Sequence, residues 1–125
     1  MNTQHAVKVL MDNRKKIEDL IDNFSRYVQT GDCDQVIVDF FHKISFYTDE
    51  YLMNEKLFLK QKDIELFNEL TEKHQDFADK LIAYQKDFEQ KKPGFCEEFL
   101  KFLKNWYSGH ILYFDKNLME MLNEE

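Results

Sequence analysis

The stretch IVDFFHKISFYTDEYLMNEKLF, residues 37–58, decides the fold of this chain. Apolar side chains return every three or four positions, at Ile37, Phe41, Ile44, Tyr51 and Phe58, and Thr48 and Glu55 stand where the same rhythm asks for two more. That period is one face of an α-helix and not the alternation of a strand. A carboxylate on an inward seam is costly to bury alone. Glu55 therefore calls for polar partners on other helices.

Three more seams supply them. The first reads Leu10, Arg14, Ile17, Ile21, Phe24, Val28, and the third Phe67, Leu70, His74, Phe77, Leu81, Tyr84, Phe88. The last reads Phe99, Leu103, Trp106, His110, then resumes one residue late at Asp115, Leu118 and Leu122. Such a slip predicts a π-type bulge between His110 and Asp115, a feature that often accompanies functional sites. Gly31 and Asp32, with Asp34 as a cap, mark the first turn. Residues 61–63 mark the second, with Asp63 as N-cap, and Pro93–Gly94 the third, after which the last helix runs almost to the C-terminus. Short connections force neighbouring helices antiparallel. The expected fold is all-α, an up-down-up-down four-helix bundle forming one domain over residues 1–125.

Composition agrees with this and removes several function classes. One Pro and three Gly leave room for few turns, while twelve Phe and six Tyr within a 43% hydrophobic content supply a core without staples. No apolar run reaches the length of a membrane span, and the N-terminus lacks a signal-peptide layout. With 24 acidic against 17 basic residues the net charge is −7, which disfavours nucleic acid and anionic membranes as partners. Cys33 and Cys96 are too few and too separated to read as a disulfide or metal framework. They are expected to be free structural thiols of a cytoplasmic protein. The size suits a monomer or a homodimer, and no protein partner is indicated.

Counting residues from the turns places Arg14, Tyr51, Glu55, His74, His110 and Asp115 at similar depth along the bundle, because each helical residue advances about 1.5 Å. Two imidazoles and two carboxylates in one core layer are the ligand types with which facing helices hold a transition metal. Each residue also has an ordinary reading. A lone core histidine is usually a satisfied one, Tyr51 and Trp106 fit packing roles, and Arg14 could snorkel outward along its stem.

The segments Tyr47-Thr48-Asp49-Glu50-Tyr51-Leu52-Met53-Asn54-Glu55, Lys73-His74-Gln75-Asp76-Phe77 and Trp106-Tyr107-Ser108-Gly109-His110-Ile111-Leu112-Tyr113-Phe114-Asp115 resemble the ligand helices of bacteriohemerythrins. The resemblance covers nearly the whole chain, and the last segment is its most specific piece. It implies a four-helix bundle around a non-haem diiron centre, bridged by one Glu and one Asp, with five histidine ligands and reversible O2 binding. Glu55, Asp115, His74 and His110 match four of those ligands. Arg14, Tyr51 and Leu70 stand at the other three histidine positions. Two of the three, Arg14 and Tyr51, belong to the iron that binds O2 in the family, so the resemblance implies a damaged oxygen site.

The cluster has three readings. His74 and His110 with Glu55, Asp115 or both could hold one Fe(II), leaving a vacancy beside Leu70. Tyr51 could give a phenolate to a second, ferric ion. Alternatively no metal is bound, and the Arg14 guanidinium pairs with Glu55 or Asp115 in its place, with Tyr51 completing the network. The chain is thus expected to be a non-enzymatic hemerythrin-like protein with a degenerate centre, acting as a metal-free interaction or signalling bundle. The alternative is an iron protein serving O2, NO or redox sensing, oxygen binding or iron handling. A phosphotransfer role for His42 lacks the small-residue surroundings of an exposed phosphoacceptor. Restoring the missing ligands tests the helix alignment: Arg14→His, Tyr51→His and Leu70→His together are expected to produce a coloured diiron protein, read by optical absorption and metal analysis. A folded, iron-free triple variant would show the alignment to be wrong.

Overall fold

The computed structural model describes residues 3–60, 62–111, 116 and 120. Among them four helices, α1 (Thr3–Thr30), α2 (Cys33–Lys60), α3 (Ile64–Glu89) and α4 (Phe95–Trp106), pack as an up-down-up-down bundle, and α4 continues into a π-helical turn, Tyr107–Ile111. No strand occurs among the described residues, and no described helix is long and apolar enough to cross a membrane.

The turns arise from local chemistry. Gly31 takes φ 80 and Gly94 φ 72, the left-handed conformation that glycine enters without a Cβ penalty. Asp63 starts α3 as expected, its carboxylate accepting the Leu66 N–H at 3.0 Å. Asp34 does not cap α2, because that helix already begins at Cys33 and Asp34 lies in its first turn. There its negative charge favours the positive end of the helix dipole.

Much of the core lies where the seams put it, while Phe40, Leu52 and Leu59 are buried off them and Phe41 is only partly buried. Leu10, Ile17, Phe24, Ile37, Ile44, Leu70, Phe99 and Leu103 are all at most 1% exposed. Aromatic rings fill the end of the bundle that carries the first and third turns. Phe24 stacks on Phe40 with centroids 4.1 Å apart, Phe41 on Phe99 at 4.8 Å, and Tyr84 leans on Phe99 at 5.1 Å. Such offset and tilted pairs add to the gain from burial. The polar layer begins farther along the bundle, beyond this apolar block.

The cysteines correct the sequence reading. Cys33, at the start of α2, and Cys96, at the start of α4, are joined in a disulfide with Cα atoms 6.4 Å apart. Their separation of 63 residues along the chain hides the fact that antiparallel topology returns both helix N-termini to the same end. The bond closes the aromatic end of the bundle. Cross-linking a loop of that length restricts the unfolded chain by about 4 kcal/mol. Paired Cys33→Ser and Cys96→Ser substitutions are therefore expected to lower the unfolding free energy by roughly that amount, measured by guanidinium titration of both proteins. Adding reductant should shift the wild-type midpoint to that of the variant.

Candidate functional site

Glu55 is completely buried near the C-terminal end of α2, and its Oε1 lies 2.9 Å from His110 Nε2 in the π turn after α4. The histidine side chain is itself only 4% exposed. This contact joins two helices that are not neighbours in sequence. His110 lies inside the π turn, which adds a residue to that helical turn and rotates the residues that follow it about the helix axis. The turn falls earlier than the seam slip suggested, at Tyr107–Ile111, and residues 112–115 lie outside the described residues.

The rings around the pair are ordered. Trp106 stacks on His110 at 5.2 Å, and Phe77 stacks on Trp106 at 4.3 Å. Tyr51 stands edge-on to His110 at 6.3 Å and is 1% exposed. Burial raises the Tyr51 hydroxyl pKa far above that of a free phenol; the neighbouring Glu55 charge adds to this and Arg14 opposes it. Without a metal, Tyr51 is therefore a neutral phenol at ordinary pH. Burial also raises the Glu55 pKa, against the pull of its contact with His110. The second oxygen, Oε2, is buried and has no hydrogen-bond partner among the described residues. A lone pair left so is expensive.

Arg14 reaches across to the π turn. Its Nε donates to the Tyr107 hydroxyl at 3.1 Å, and that hydroxyl donates in turn to Glu18 Oε2 at 2.8 Å. Glu18 is one helical turn beyond Arg14, so both reach the same phenol. Among the described residues no hydrogen bond joins Arg14 to Glu55, whose one bonded oxygen meets His110. The corresponding pairing with Asp115 falls outside the described residues. Tyr107 was not singled out by the seam analysis, since it sits one position off the α4 stripe; the i, i+4 placement of Arg14 and Glu18 was the available signal.

His74 is also engaged elsewhere. Its Nε2 lies 2.9 Å from Asp49 Oδ1 of α2, and its side chain is 16% exposed. Much of the α3 seam is only half-buried, so a residue there can meet the flank of α2. Leu70, at a substituted ligand position, is completely buried. A further polar tie escaped sequence reading. Asn13 is 3% exposed, donates to Glu50 Oε1 at 3.1 Å and accepts from Asn54 at 2.8 Å, and so fixes α1 against α2.

Could these residues hold a metal? Two donors each about 2.1 Å from one ion stand roughly 3 Å apart, so the spacing of Glu55 and His110 suits neighbouring ligands as well as a direct hydrogen bond. A pair is not a site. Among the described residues no three of His, Cys, Asp and Glu come together in a group that could hold a metal ion, and Asp115 is outside them.

The raised pKa of Glu55 has a definite consequence for metal-free protein. A group that binds its proton more tightly when folded contributes most stability below its unfolded pKa, near 4.5, and loses that contribution as pH rises through the folded value. Glu55→Gln mimics the protonated acid. The variant is expected to gain on the wild type as pH rises from 4.5 towards 8, with the two converging in acid. Urea titrations at a series of pH values check this, and a gap that widens towards acid would reverse the sign.

Compared with protein-family models, curated proteins and solved structures, the chain matches none. The likeness to bacteriohemerythrins rests on the residues of its three segments alone.

Proposed function

We propose that this chain is a hemerythrin-like bundle whose centre has become a metal-free polar core, and that it acts as a non-enzymatic interaction or signalling module. The observation that carries the reading is the direct contact between Glu55 and His110. A bridging carboxylate and a ligand histidine of the resembled family here can satisfy each other. Three further placements support it. Arg14 donates to Tyr107, His74 meets Asp49, and Leu70 offers no donor. Tyr51, buried and edge-on to His110, fits a packing role in such a core. Reversible oxygen carriage has little to stand on in this set.

The orphaned Oε2 of Glu55 favours a second reading. A cation beside Glu55 and His110 would satisfy that atom, and the pair belongs to the two-histidine, one-carboxylate donor types that suit Fe(II). An iron-binding protein for O2, NO or redox sensing, or for iron handling, is the alternative. As to compartment, the disulfide removes the free thiols on which a cytoplasmic placement rested. A persistent structural disulfide suits an oxidising compartment.

Metal analysis after anaerobic incubation with Fe(II), with absorption spectra before and after air, separates the readings. The metal-free module is expected to retain no stoichiometric iron and to stay colourless. About one iron per chain would support the alternative, and about two with oxo-bridge bands would overturn the degenerate centre altogether.

A further inference from the structure

Seven large apolar side chains stand exposed among the described residues, and three of them, Val38 (58%), Phe46 (63%) and Ile82 (53%), line one groove. The groove runs between α2 and α3 and encloses about 640 Å3. Scattered exposed apolar residues are ordinary, but several converging on one concave surface mark an interaction site. From His74 near one end to Glu89 at the other, α3 advances about 22 Å, the length of a helix of roughly 15 residues.

Charge narrows the choice of occupant. Asp49 and Glu89 line the groove with His42 and His74, and among the described residues no lysine or arginine does. Asp49 remains 66% exposed even while its Oδ1 meets His74. The whole chain carries a net −7, so a second copy would bring like charge to an acidic groove. An anionic surface is disfavoured for the same reason. A helix whose apolar face enters the groove and whose flanks carry lysine or arginine satisfies both features, a recurring mode of helix-in-groove recognition.

We infer that the groove between α2 and α3 is a docking site for a basic amphipathic helix of a partner protein. This rests on the reading of the chain as an interaction module and names the face it would use. Val38, Phe46 and Ile82 contact the apolar stripe of the incoming helix, while Asp49 and Glu89 attract its basic flanks and set its register. The Glu55–His110 pair takes no part in the contact.

The test uses the whole oxidised protein and a fluorescent synthetic peptide of about 15 residues, with leucines at helical i, i+3, i+4 and i+7 spacing and lysines elsewhere. Controls are a scrambled peptide of the same composition and a version with glutamate for lysine. Anisotropy titrations are expected to show saturable binding of the patterned basic peptide, at least tenfold weaker binding of both controls, and loss on raising salt. Phe46→Asp and Ile82→Asp should each weaken binding at least tenfold with unchanged unfolding midpoints, since both positions are exposed. Glu89→Gln should weaken it less and reduce its salt dependence.

Equal binding of the scrambled peptide would reveal charge attraction alone and overturn the inference. So would the absence of binding, or indifference to Phe46→Asp and Ile82→Asp. Sedimentation showing a dimer that Ile82→Asp dissociates would make a second copy the occupant instead. Iron content measured on the same preparation keeps the two proposals apart. Iron uptake would remove the metal-free reading while leaving the peptide result to stand or fall by itself.

Discussion

The burial of one carboxylate organises the middle of this bundle. Glu55 has no exposure to water and lies within a long helix, where α2 spends its own backbone groups on itself. Its partner has to come from another helix, and His110 supplies it. Meeting that requirement couples the register of α2 to that of α4 and is accompanied by a π turn in the latter. Tyr107, the first residue of that turn, meets Arg14 and Glu18 of α1. Two residues of one turn thus make polar contacts with two different helices.

The bundle divides its labour along its length. At the end bearing the first and third turns, stacked and tilted rings of Phe24, Phe40, Phe41, Tyr84 and Phe99 form an apolar block, closed by the disulfide between Cys33 and Cys96. Farther along, polar groups enter the core in connected sets. Asn13, Glu50 and Asn54 tie α1 to α2, and Tyr107 ties α4 to α1 through Arg14 and Glu18. Unmet polar groups in such surroundings cost more than met ones gain. The Glu55 Oε2 atom is where this arrangement is left incomplete among the described residues, and it is therefore the atom on which the choice between a polar core and a metal centre turns.

The centre and the outer surface carry different kinds of information. The buried pair can exchange a proton or accept a cation, yet it sits beneath Trp106 and Phe77. The groove between α2 and α3 offers apolar side chains to solvent and has acidic groups along it. His74 and Asp49 stand at that boundary, on the flank of α2. Phe77 belongs to both centre and groove, lining the groove and stacking on the Trp106 ring that covers His110.

The helices, their turns and most of the core were legible in the sequence, because a period near 3.6 residues, a capping aspartate at Asp63 and glycines at Gly31 and Gly94 act locally. So was the presence of polar residues on inward seams. Their pairing was not legible. Depth along a bundle says which residues share a layer, but partners are chosen by azimuth, which the packing of the helices against one another sets. His74 turned to Asp49, Arg14 to Tyr107, and Cys33 met Cys96 across 63 residues. Sequence alone determined that this chain folds as a helical bundle with polar groups in its middle. The tertiary structure decided which of those groups satisfy one another, because hydrogen bonds and disulfides depend on positions in space that only the packed helices define.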